Sequence, residues 1–227
     1  MAKEIITEEL SIVVVARNHN PTILNPDFLK YNKIVPTDWE LAGKPICADP
    51  VAQVTFSNGV NIVSQFDKVI FSEVLRDKKP GDVAIPGIAQ KYVETLPHVD
   101  YRAVGINPKG HVVFTDEAEV QRYIVDNLLA PGPWRQFDEI SVKAAIKFIY
   151  ALKDCQLSLT IEEGKLQVQD SLLPVALFAA NFHHDLAGES KEEKLKNLSK
   201  ILDEWEKDLN LFREMVNERF LGISGKP

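Results

Sequence analysis

The sequence predicts an α+β fold: a mainly antiparallel, twisted sheet with a long amphipathic helix at the C-terminal end packed on it. Three observations carry this. Residues 190–222 read SKEEKLKNLSKILDEWEKDLNLFREMVNERFLG, with apolar side chains at Leu195, Leu198, Leu202, Trp205, Leu209, Phe212 and Val216, the 3–4 spacing of one helix face. Residues 51–75 alternate through three short apolar runs around Asn58-Gly59, a hairpin dipeptide. Residues 172–185, LLPVALFAANFHHD, form a further mostly apolar run that leads into the helix. A helix of that length is roughly 46 Å long at ~1.5 Å per residue, so its stripe needs an extended surface to cover it.

Taken in order, residues 10–16 (LSIVVVA) are β-branched and apolar enough for a strand buried on both faces. Prolines at 21, 26, 36, 45 and 50 keep residues 22–50 irregular, with one helical turn opened by Asn25-Pro26-Asp27 and Trp39 pinning the segment to the body. The meander follows, its Asn58-Gly59 suited to a type I′ turn. Residues 76–82 are a polar loop, and residues 86–96 a helix with Ile88, Tyr92, Val93 and Leu96 on its inner face. Strands at 100–106 and 111–114 flank Asn107-Pro108-Lys109-Gly110, which has turn chemistry. Thr115 or Asp116 caps the next helix.

Ala130-Pro131-Gly132-Pro133 is the sharpest break. It divides a single domain, 1–227, into two similar meander-plus-helix halves, 1–130 and 131–227. Residues 139–152 fit both a strand and a helix; the opposite parity of Lys143 and Lys147, together with the aromatics, favours strand. Residues 155–161 alternate with Leu157, Leu159 and Ile161 inward, and Glu163-Gly164 turns the chain into 165–169. Ser190 and Glu193 have capping-box spacing, and Gly222 suits a left-handed helix stop.

Residues 101–107, Tyr-Arg-Ala-Val-Gly-Ile-Asn, resemble a strand segment in a sporadically distributed family of uncharacterised bacterial proteins, whose strand-rich layout and terminal helix are similar. The resemblance implies no activity, cofactor or catalytic residue.

Of the 227 residues, 45% are hydrophobic and 26% charged, ordinary for a globular protein. A net charge of −7 with interleaved basic and acidic residues argues against a nucleic-acid or anionic-membrane surface. There is no apolar run of membrane-spanning length and no apolar leader segment. Cys47 and Cys155 stand far apart outside any metal-type spacing. A reducing, cytoplasmic location follows.

His183-His184-Asp185 is the sole cluster of metal-ligand residue types along the sequence. Neighbours on a strand face opposite ways, so His183 and Asp185 are the pair that shares a face, with no third ligand beside them. The competing explanation is a polar strand end before a helix, where Asp185 suits the helix dipole. His19 and His98 are isolated turn residues, neither cysteine has the surroundings of a nucleophile, and no phosphate-binding glycine loop occurs. Trp205, Phe212 and Met215 are candidate interaction residues: the stripe obeys a heptad rule, although Ile201, Met215 and Phe220 widen it towards sheet packing. The leading expectation is a non-catalytic protein with no cofactor, acting through a protein partner or as a homo-oligomer. The alternatives are a metal-assisted hydrolase built on His183 and Asp185, with His19 or His98 brought in by folding, and a holdase-like module for extended polypeptides.

Overall fold

The computed structural model describes residues 3–76 and 78–222. Among them, eleven strands form: β1 (Ile6–Arg17), β2 (Ile46–Cys47), β3 (Ala52–Thr55), β4 (Val60–Ser64), β5 (Lys68–Val74), β6 (Asp100–Val113), β7 (Gln136–Phe137), β8 (Ile140–Ser141), β9 (Ile146–Ala151), β10 (Gln156–Val168) and β11 (Ser171–Asp185). Nine make one sheet in the order β2-β3-β4-β5-β1-β6-β11-β10-β9, each adjacent pair antiparallel. β7 and β8 pair separately as a small hairpin. The order is mirrored about the β1–β6 contact: β5, β4 and β3 follow outward from β1 as β11, β10 and β9 do from β6.

The helices are α1 (Pro26–Tyr31), α2 (Ile85–Thr95), α3 (Glu117–Arg122), α4 (Lys191–Asp203) and α5 (Trp205–Glu214). α2 packs on β1 and β5, while α4 and α5 pack on β6, and α2 also meets α4. On β1, Leu10, Ile12, Val14 and Ala16 are buried, whereas Val13 and Val15 on the other face are half-buried. No helix of the described residues is long and apolar enough to cross a membrane.

The C-terminal helix differs from the single rod its stripe suggested. It breaks at Glu204 (φ −96°, ψ 8°), where the amide donates to both Lys200 O and Ile201 O, and Lys207 N donates to Glu204 O in a tight i→i+3 bond. The apolar positions from Leu198 to Val216 follow steps of 4, 3, 4, 3 and 4, an average of 3.6 that keeps them on one helix face across the break, and Leu198, Leu202, Trp205, Leu209, Phe212 and Val216 are all buried. The chain winds on as a π-helix over Met215–Leu221, and Gly222 has right-handed dihedrals, not the left-handed stop. The Ser190–Glu193 capping box forms in full.

Two further corrections share a cause. β6 runs unbroken through Asn107–Gly110, and β10 runs unbroken through Glu163–Gly164. Both glycines looked like turn residues but serve close approach. A Cβ at Gly110 would lie 2.5 Å from Ile6 O, and one at Gly164 would lie 2.6 Å from the Leu177 side chain on the neighbouring strand. The actual β10–β11 turn is at Gln169, which has φ 51°. In the β3–β4 hairpin, Gly59 has φ 89°, but Asn58 is not left-handed. Gly59 N donates to Phe56 O and Phe56 N to Val60 O. That is a three-residue loop with a glycine bulge, where type I′ would need positive φ at both positions.

Other expectations stand. Asn25 caps α1 by accepting from Phe28 N, and Asp116 caps α3 by accepting from Glu119 N. Trp39 packs edge-on against Phe56 at 5.2 Å. The strand expected over 139–152 is shorter: Ile140–Ser141 pair with β7, residues 142–145 belong to no strand, and only Ile146–Ala151 join the large sheet, with Ile146, Phe148 and Tyr150 packed on the core and Lys147 exposed. Position 77, within the polar loop read over 76–82, lies outside the described residues.

Candidate functional site: an inward-facing Cys-His-Asp cluster

The β-ladder brings together residues 29 positions apart. Gln156 pairs with His183, so the next step of the same register sets Cys155 opposite His184. Strand alternation points both to the helix-covered side, in phase with buried Leu157, Phe182 and Ala180. Asp208 arrives from α5. It lies three residues after Trp205 and four before Phe212, which places a carboxylate on the helix's own apolar stripe.

His184 Nε2 and Asp208 Oδ2 are 2.7 Å apart, with side-chain exposures of 12% and 14%. One ligand-type atom from each of Cys155, His184 and Asp208 lies within 4.8 Å of the others. Among the described residues, no other group of three such side chains converges in this way. Burial, reinforced by Asp208 and Asp154, pushes the Cys155 thiol up to about 11, so it stays protonated at neutral pH. A protonated thiol whose histidine is already engaged by Asp208 is a poor nucleophile.

The cluster opens into a cleft of about 600 Å³ between the β9–β10 turn, the end of β11 and the α4–α5 junction. Lys153, Lys200 and Glu204 are among its lining residues. One wall is fixed by Asn197, whose Oδ1 accepts from Ala187 N at 2.9 Å. Asp208 lies about one turn beyond the break at Glu204, and both residues line the cleft.

His183 and Asp185 do share a face, at 3.4 Å, but it is the outer one, with side-chain exposures of 43% and 93%. Neither His19 nor His98 joins them. His19 turns into the core, where Nε2 meets the Tyr92 hydroxyl at 2.8 Å and Nδ1 has no hydrogen-bond partner among the described residues; burial lowers its pKa. His98 is exposed, and its carbonyl accepts from Lys191 Nζ. The candidate interaction residues Trp205 and Phe212 are buried in the single chain, and Met215 packs against the same core. Reading the sequence missed His184, Cys155 and Asp208 as a set. The available signals were a thiol and an imidazole in inward phase and an acid on an apolar stripe.

A second feature is apolar. Trp134, Phe137 and Ile140 in the β7–β8 hairpin region and Ile149 on β9 are 57%, 79%, 70% and 61% exposed. Arg135 holds the hairpin base through Asp126 at 3.2 Å and through Leu129 O, and Gln121 Nε2 donates to Val142 O. β9 has β10 on one side and ends the sheet on the other. Compared with known proteins, the chain matches no family model and no curated protein.

Proposed function

We propose that the protein acts by association, pairing with a second copy of itself along the free edge of β9, without chemistry at that surface. The observation that carries this reading is the edge itself. Among the described residues, a sheet of nine strands stops at a six-residue strand with no strand on its outer side, and such an edge is a template for another chain. Ile149 on this strand is exposed, as are Trp134, Phe137 and Ile140 in and beside the hairpin that precedes it in the chain; large exposed apolar residues that cluster mark contact surfaces.

The strand is also self-compatible. Antiparallel pairing about Phe148 sets Phe148 opposite its copy, Ile146 opposite Tyr150 and Lys147 opposite Ile149. No like charges meet, and the Lys147 stem covers the exposed isoleucine. A net charge of −7 fits a protein partner better than a nucleic acid. Free Cys47 and Cys155 fit a reducing cytoplasm.

The test is light scattering on the eluting protein across a concentration series. The expected species is a dimer of the 25.5 kDa chain, converted to monomer by Ile149→Lys while circular dichroism stays native. A strict monomer at the highest concentration sinks the proposal, as does a dimer indifferent to Ile149→Lys and to Phe148→Asp.

A further inference from the structure

We infer that Cys155, His184 and Asp208 form a binding centre for a divalent transition ion of the Zn²⁺ class, with one coordination position open to the cleft. Sulfur, imidazole nitrogen and carboxylate oxygen arrive from three separate elements: the β9–β10 turn, β11 and α5. Their ligand atoms already lie within 4.8 Å of one another. In a tetrahedral site with bonds of ~2.0–2.3 Å, ligand atoms sit roughly 3–4 Å apart, so side-chain rotation alone closes the difference. His184 and Asp208 hold each other at 2.7 Å, a contact that keeps both satisfied until an ion replaces the shared proton.

The donor set decides the ion class. Thiolate and imidazole disfavour Mg²⁺ and Ca²⁺, which take oxygen ligands, and suit Zn²⁺ and its neighbours. Binding sends the thiol proton to solvent as the sulfur–metal bond forms. Three protein ligands with an open fourth position are the pattern of a reactive zinc, whereas structural sites close with four. That fourth position faces a cleft of about 600 Å³ whose walls carry Lys153, Lys200 and Lys207 together with Asp154, Asp185 and Glu204. With the charges of the walls balanced, its occupant is water.

The adjacent histidines supply the internal control. His183 lies on the outer face with Asp185, so it contributes nothing to this centre. The full chain, stripped with a chelator, is titrated with Co²⁺ and then Zn²⁺. The expected result is one ion per chain, with a sulfur-to-cobalt charge-transfer band in the near ultraviolet that Zn²⁺ abolishes. Cys155→Ser removes the band. Asp208→Asn and His184→Gln weaken Zn²⁺ binding by more than the ~100-fold that an outer-shell partner contributes. His183→Gln leaves both readouts unchanged. The inference is overturned by absence of stoichiometric binding, by binding that survives Cys155→Ser with its band intact, or by equal losses in His183→Gln and His184→Gln.

Discussion

The two flanks of the sheet repeat one strand order and close in opposite ways. After β1, the connection through residues 18–45 folds back onto the core: Leu24, Leu29, Ile34 and Val35 are buried, and Phe28 meets Tyr92 edge-on at 5.9 Å, although Tyr31 is 88% exposed. After β6, the connection through residues 114–145 buries Val120, Tyr123 and Ile124 but leaves Trp134, Phe137 and Ile140 in solvent. The outer edges differ as well. Among the described residues, β3 is covered by the two-residue β2, whereas β9 has no strand on its outer side. Inward polar groups follow the same division. On the β1 flank, Glu73 is buried and accepts from Ala84 N and Ile85 N at the start of α2, with Lys78 Nζ at 2.6 Å. On the β11 flank, Cys155, His184 and Asp208 face a cleft. On one flank the inward polar groups bind backbone amides, and on the other they pair at the wall of a cleft.

That contrast breaks most visibly by truncating the two connections. Leu29→Ala should cost about 2–5 kcal/mol of stability, because Leu29 is fully buried. Phe137→Ala, with more side chain removed, should stay within about 0.5 kcal/mol. Chemical denaturation of both variants measures the difference, and equal losses would erase the contrast. Next in size, Glu73→Ala removes the carboxylate from two backbone amides and a lysine. Hydrogen bonds to a charged group are worth roughly 1.5–3 kcal/mol, so a loss of about that size is expected in urea unfolding, with less in Glu73→Gln. At the start of α4, Ser190→Ala should cost about 1 kcal/mol, since its hydroxyl accepts from Glu193 N.

The mildest perturbation is pH. Burial depresses the His19 pKa below its ordinary 6.5, so the unfolded chain binds the proton more readily than the native one. Stability contributed by neutral His19 is complete above about pH 6.5 and falls as the pH drops towards the native value. His111 is also lowered, chiefly by burial and also by Arg76, against the opposing pull of Glu8, and it adds the same sign. Denaturation midpoints at pH 7.5 and 5.5 should converge partly in His19→Gln. An unchanged slope in that variant would remove His19 from the account.

Local chemistry announced its elements wherever one residue type answers to one need. Ser190 and Glu193 satisfy helix amides that have no other partner, and the alternation of Leu157, Leu159 and Ile161 needs only a sheet with one covered face. Glycine carries no such announcement. Gly59 marks a turn, while Gly110 and Gly164 sit in unbroken strands because a neighbouring chain comes too close for a Cβ. Nothing adjacent to them in sequence distinguishes the two uses.

By itself the sequence determined the antiparallel α+β class, the capping box, the meander and the stripe that seats the C-terminal helix, all consequences of period and of near-neighbour hydrogen bonds. It also determined that His183 and His184 point apart. Which of the two faces meets a thiol and a carboxylate was decided by the register of β10 against β11 and by the phase of α5 after Glu204. Those are long-range choices: a one-residue slip of a strand reverses every side chain on it, and no local pattern records the partner that prevents the slip.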